Sequence, residues 1–479
     1  MTRPAATVVA SALAGALAGC ALPDPVHTEL SQSGVVAPAR WSEAGTADAV
    51  AAGWLAELAD PTLEALVNEA LAGNMDLRVA AARVRQANAR ARIAGADALP
   101  RADIGGGGSR RSAGSASGQR VTASSFDLSL SAAWEVDVWN RLADRTRAAF
   151  LDEAASAADH DAARLSLAAN VARAWFDAVE ARLQLELTQQ TVDNFANNLA
   201  VVEENFRAGL TGALDVRLER ANLAGAQSRL ADRAVVLDAA VRRVEILLGR
   251  YPGSAIATAA TLPSPRGEVP AGLPADMLAR RPDVRAAAAR LAATDARLDA
   301  ALKNRLPGLT LTGNGGVASD ALRRLLDFDA MLLAIAAEIA APILRGGELE
   351  AERDLARAQT DEALAQYAQS VLVAFREVEG ALRAETLLEQ QEAATRIAER
   401  ESRAAEELAL ERYRAGLVDI VTWLEARRRA FDASSLLLSV RNQRLQNRIA
   451  LHLGLGGDFA RPAAGAAAVI SPPPPGQPR

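Results

Sequence analysis

The chain has 479 residues, half of them apolar but only 4% aromatic, and a net charge of −6 with both signs intermixed. That apolar content allows a large buried area, while scarce aromatics and abundant alanine suit closely approaching helices better than a thick core. The charge balance argues against a nucleic-acid partner, and no apolar run reaches the roughly 20 residues that a bilayer-crossing helix needs.

The N-terminus reads as a processed leader. Arg3 precedes the apolar stretch Ala5 to Ala18, and Leu17-Ala18-Gly19 stands directly before Cys20, the chain's only cysteine. This is the pattern of a bacterial lipoprotein signal, residues 1–19, with the Cys20 thiol acylated by lipid such as palmitate. No disulfide is then available, so stability comes from packing and assembly. Ala21, rather than the Asp that often retains lipoproteins at the inner membrane, favours the outer membrane. Residues 20–59, with Pro23, Pro25 and Pro38, form a linker.

Asp60-Pro61 opens a helix expected to run to about Ala98, proline being a usual first-turn residue, and Leu99-Pro100 stops it. A Gly- and Ser-rich segment from Arg101 leads into the clearest strand of the chain. Phe126, Leu128, Leu130, Ala132, Trp134, Val136 and Val138 alternate there with Asp127, Ser129, Ser131, Ala133, Glu135 and Asp137. A hairpin over about 101–139 is expected, with a first strand, mostly Gly and Arg, whose register is open. Then 67 residues, 141–207, contain neither Gly nor Pro. As one helix they would run roughly 100 Å, too long for a globular interior, and so demand partners of similar length. The helix ends at Ala208-Gly209-Leu210, a left-handed cap signal, and a shorter helix over 213–248 returns.

A Pro-rich joint, 250–274, leads to a second pass through the same order. A helix over 275–305 is followed by a hairpin over about 308–345, in which Leu309, Leu311 and Val317 alternate with Thr310, Thr312 and Asn314. On its return strand Leu333, Ile335, Ala337 and Ile339 alternate around Ala334 and Glu338. A long helix over 347–415 ends at Ala415-Gly416-Leu417, a shorter one covers 418–453, and a Pro-rich tail, 455–479, reads as disordered. One constant offset pairs Pro100 with Pro307, Asp76 with Asp283, Asn140 with Gly347 and Gly209 with Gly416, and eleven of the twenty-five positions from Asp76 to Pro100 match their copies. The chain is therefore read as two tandem repeats, 60–249 and 275–454.

The fold class expected is mainly α with a β-barrel part. Each hairpin offers one apolar and one polar face, as between lipid and a wet lumen. Four strands cannot close on themselves, and an open edge in lipid is forbidden, so closure must come from other copies; two copies give the bare minimum of roughly eight strands, three give roughly twelve, and the wider lumen favours three.

Several segments resemble the outer-membrane efflux channels, the TolC-like outer membrane factors, and most closely their NodT-type lipoprotein branch. They are Asp60-Pro61-Thr62-Leu63 with Asn74-Met75-Asp76-Leu77, Trp134-Glu135-Val136-Asp137-Val138-Trp139, Leu248-Gly249-Arg250, and above all Gly272-Leu273-Pro274-Ala275-Asp276-Met277-Leu278-Ala279-Arg280-Arg281-Pro282-Asp283-Val284-Arg285. The resemblance implies a homotrimer, a barrel in outer-membrane lipid, and an α-helical tunnel of coiled-coil type across the periplasm. The implied partners are a periplasmic adaptor and an inner-membrane resistance-nodulation-division pump, in the setting of multidrug resistance. It also implies a gate at the periplasmic tip, beyond the turns at Gly209 and Gly416. On the family pattern Tyr413 would link to Asp215, and Val421, Thr422, Glu425 and Arg428 would line the constriction. Val418 stands where one branch places an Arg, so that branch's link is absent.

Enzyme chemistry finds no support in the sequence. His27, His160 and His452 lie in a linker, a helix middle and a helix end, and no nucleophile, phosphate loop or metal-ligand spacing occurs. No cofactor is expected beyond the lipid on Cys20. The rival readings are a periplasmic scaffold lipoprotein without a pore, which leaves the two hairpins unexplained, and the exit channel of a type I secretion system.

Overall fold

The computed structural model describes residues 26–42, 53–58, 60–114, 120–265, 267, 270–325 and 331–457; the leader with Cys20 and the tail beyond 457 lie outside them. In chain order the elements are α1 (Pro61–Gly73), α2 (Met75–Ala96), β1 (Arg101–Gly114), β2 (Arg120–Val136), α3 (Arg141–Arg207), α4 (Ala213–Leu248), α5 (Pro274–Arg280), α6 (Pro282–Lys303), β3 (Gly308–Ser319), β4 (Leu332–Ala340), α7 (Glu348–Arg414) and α8 (Ile420–Gly454). None of the described helices is long and apolar enough to cross a membrane. Contacts divide the chain into two units, one of residues 1–36, 82–157 and 286–369, the other of 37–81, 158–285 and 370–479.

The first unit carries the sheet. Its strands run β1-β2-β3-β4, all neighbours antiparallel, with β1 and β4 each paired on one side only. The first strand, whose register the sequence left open, has a defined one, Arg101 opposite Ala133 and Gly114 opposite Arg120, because its glycines still supply a full backbone ladder. β2 ends at Val136, short of the alternation that reached Val138, and β4 ends at Ala340, where Pro342 has no N–H to donate. Below the sheet Trp139 donates from Nε1 to the Pro307 carbonyl at 2.7 Å and Trp134 to Ala98 at 3.0 Å. Asn140 takes φ 60° in the turn into α3, a conformation asparagine tolerates, and Gly346 and Gly347 take φ 57° and 86° ahead of α7. Lys303, the sole lysine, donates to buried Asp144 at 2.5 Å, and Arg147 reaches Asp299 at 2.6 Å.

The second unit holds the main core. Trp54, Leu63, Val67, Trp175, Phe176, Val244 and Ile449 are buried together, and the α3 face around Ala168, Ala172 and Ala178 keeps its neighbours close. Asp60 caps α1, accepting from the Thr62 and Leu63 amides at 2.9 and 3.2 Å, while its other oxygen accepts from Trp175 Nε1 at 2.7 Å. Two helices expected as single runs are broken. The helix from Asp60 stops at Asn74, whose side chain accepts from the Leu77 amide at 3.0 Å and donates to the Leu247 carbonyl at 2.9 Å, so it caps a new helix instead of continuing the old one. The helix expected over 275–305 breaks at Arg281, which takes ψ 119° because the Pro282 ring disfavours helical geometry in the residue before it.

Candidate functional site

Two surfaces carry functional geometry, one on the sheet and one at the helix turns of the second unit. The strands hold 14, 17, 12 and 9 residues, against the ~9–11 that cross a bilayer. Register sorts their side chains into two faces. Leu130, Leu333 and Ile335 stand exposed on one, at 57%, 69% and 82%, together with Ile104 and Ile339. The opposite face aligns Glu135, Thr310 and Glu338 in one row across three strands, and Ser131 with Asn314 in another. A soluble sheet would cover so many adjacent large apolar side chains, because leaving them in water forfeits about 25 cal/mol per Å². The arrangement fits a wall between hydrocarbon and water.

The turns follow from two glycines. Gly209 and Gly416 adopt φ 76° and 70°, and the next amides, Leu210 and Leu417, reach back to the carbonyls of Asn205 at 2.8 Å and Arg412 at 2.9 Å. Leu210 and Leu417 are both 74% exposed. Asp419 then caps α8, accepting from the Thr422 amide at 2.8 Å and its hydroxyl at 2.6 Å, and these bonds hold its carboxyl below the usual range. Thr422, expected at the constriction, is thus engaged in the cap.

Val421 is 58% exposed beside it. Glu425 pairs with Arg428 at 2.8 Å and with Arg429 at 3.1 Å, and Arg428 reaches Asp432 at 3.1 Å. Arg428 and then Arg429 hold the Glu425 carboxyl below its ordinary value. All are exposed, so in this chain they form a solvated network on one helix face.

The expected Tyr413–Asp215 link takes another form. Tyr413 stacks on Trp423, ring centroids 5.5 Å apart and 10° from parallel, and makes no hydrogen bond to Asp215 among the described residues. Burial, then the negative charges of Asp215 and Glu219, push its phenol up. The stack prevails because Trp423 lies in an apolar cluster with Val202, Val216 and Ile420, which draws the Tyr413 ring inward. Sequence reasoning missed Glu219 and Arg427, buried beside this cluster. The signal was present, since Glu219 falls on the helical spacing of Val216 and Ala226, and Arg427 on that of Ile420, Trp423, Ala430 and Ser434, all buried.

Membrane-length strands with an apolar outer face, combined in one chain with two helices of 67 residues, define an outer-membrane channel subunit. The family model for outer membrane efflux proteins matches residues 66–250 and again 273–457, and the chain belongs to that family. Among similar proteins, the pyoverdine export outer membrane protein OpmQ of Pseudomonas putida is 32% identical over 92% of this chain and 95% of its own length. The cation efflux system protein CusC of Escherichia coli is 30% identical over 93% and 97%. The open-state structure of the Neisseria gonorrhoeae MtrE outer membrane channel superposes with a TM-score of 0.79 at 28% identity, covering 92% of this chain and all of that one. The protein is an outer-membrane efflux channel component, of a family of channels rather than enzymes.

Proposed function

We propose that the chain works as a homotrimeric exit duct of a tripartite efflux pump, passively conducting small molecules delivered by an inner-membrane resistance-nodulation-division transporter through a periplasmic adaptor. The observation that carries the assembly is the sheet with its two one-sided outer strands, β1 and β4, and its exposed apolar face. In lipid those edges need partners, and copies of the same sheet supply them without any other protein. Acylation of Cys20 would anchor each subunit to outer-membrane lipids. The relatives are named for pyoverdine, toluene, solvents and cations. Such unlike cargoes on similar channels support a duct whose specificity resides in pump and adaptor.

In this reading Gly209 and Gly416 turn the chain at the periplasmic tip, and Val421, Glu425 and Arg428 ring the constriction, with Tyr413 and Asp215 behind it. Single-channel recording in planar bilayers tests it. Wild type should give a small, mostly closed conductance that rises in the Glu425→Ala, Arg428→Ala double variant. A steady conductance that the variant leaves unchanged removes those residues from the gate; a correctly inserted protein without conductance would favour the scaffold reading.

A further inference from the structure

One acid near the turns is not among the proposed constriction residues. Glu219 of α4 is 0% exposed, and among the described residues neither of its carboxylate oxygens has a hydrogen-bond partner. The cation facing it is Arg427 of α8, itself 5% exposed with an unpartnered Nη1. That guanidinium lies 3.8 Å from the centroid of the Phe195 ring on α3 and 3.8 Å from Glu406 on α7, and its Nη2 donates to the Thr191 carbonyl at 3.4 Å. The other groups nearby are Tyr413 of α7, held in its stack on Trp423, and, on α4 itself, Asp215 and Arg220, the latter turned to Glu203 of α3 at 2.7 Å. Burial, only partly offset by Arg427, pushes the Glu219 carboxyl up to about 7. Burial likewise raises Glu406, against the pull of Arg427 and Arg403.

A neutral Glu219 can stay where it is. An ionised one, buried without a donor, cannot, because desolvating a bare carboxylate is costly. Either Arg427 must leave Phe195 and Glu406 to meet it, or Glu219 must reach water. The first route unpacks α8 one residue from Arg428 and two from Glu425, and the second withdraws from that same segment the charge that faces Arg427.

We propose that Glu219 and Arg427 form a proton-operated latch, which holds the gate segment of α8 in place while Glu219 is neutral and releases it when Glu219 ionises. The inference rests on the duct reading, in which this segment closes the tunnel. Its sign follows from linkage. An acid whose native pKa is raised stabilises the native state fully below the ordinary value of 4.5, and that stabilisation is lost as the pH rises through about 7. The latched tip is therefore the acid form.

The test is single-channel conductance of the full protein from about pH 5.5 to 8.5, with thermal unfolding of the same preparations in detergent over the same range. Wild type should conduct severalfold more, and melt lower, above about pH 7 than below it. Glu219→Gln, uncharged and of the same shape, should hold low conductance and lose the step in both profiles. Conductance that steps with pH equally in wild type and Glu219→Gln, or in neither, overturns the latch. Failure to conduct at any pH overturns the duct instead, and the melting profiles then decide the titration alone: a wild-type step that Glu219→Gln abolishes keeps Glu219 as the titrating group, and identical profiles remove it.

Discussion

Replacing Gly249 by alanine probes a close backbone approach in the second unit. Gly249 closes α4 with φ 76°, and a Cβ there would stand 2.5 Å from the carbonyl oxygen of Gly73 and 3.0 Å from its carbonyl carbon. The converse holds too, since a Cβ on Gly73 would meet the Leu248 carbonyl at 2.5 Å. Two helix ends thus touch backbone to backbone, tied further by Asn74 to Leu247. A left-handed alanine costs about 1 kcal/mol, and prising apart two packed backbones adds about 2 kcal/mol, so Gly249→Ala should lose ~3 kcal/mol. Gly209 is the matched control, because it has the same φ of 76° but a Cβ there would meet nothing within 4 Å. Gly209→Ala should lose only the ~1 kcal/mol of backbone strain. Helical circular dichroism of the two detergent-solubilised variants during heating measures the difference, with Gly249→Ala melting lower by about 2 °C or more. Equal midpoints would refute the argument that close approach, rather than conformation alone, requires glycine at 249.

Three further outcomes are expected. Lys303→Met should destabilise by about 2 kcal/mol on heating, because Asp144, 6% exposed, would keep only its 3.2 Å contact to Arg147. Ile335→Arg, on the apolar face, should cost roughly 2–4 kcal/mol and deplete the protein from outer-membrane fractions, whereas Ala336→Arg on the opposite face should insert normally; equal insertion would contradict the assignment of faces. Glu392 is 2% exposed and, although burial opposes it, its bonds to Arg444 and Arg396 at 2.6 Å hold its carboxyl below 4.5. Its contribution is therefore present above pH 4.5 and fades as the pH falls through the lowered value. Glu392→Gln should cost about 2 kcal/mol at neutral pH and progressively less in acid, read from melting midpoints against pH.

Much of the architecture was legible because its signals are local. The absence of Gly and Pro sets the 67-residue helix of 141–207, Gly209, Gly249 and Gly416 mark where chains turn, and the period-two alternation around Leu128 and Leu130 marks a strand. Asn74 and Pro282 carried equally local signals that the long periodic runs obscured: an asparagine can cap a second helix directly after the first, and a proline bends the residue before it. The candidate gate was legible only as positions. Glu425 and Arg428 share a face by spacing, but no spacing shows that Thr422 serves the Asp419 cap.

By itself the sequence determined where the two long helices and the hairpins lie, which strand face is apolar, and the family to which the chain belongs, since these depend on backbone freedom and on the order of apolar and polar residues along one element. Only the tertiary structure decided which residues meet across elements: that Tyr413 stacks on Trp423 and leaves Asp215 without it, that Glu219 is buried without a donor, and that Arg427 is divided between Phe195 and Glu406. Those pairings are set by how helix faces pack, and the energy of a charge depends on what covers it, which no single stretch of sequence contains.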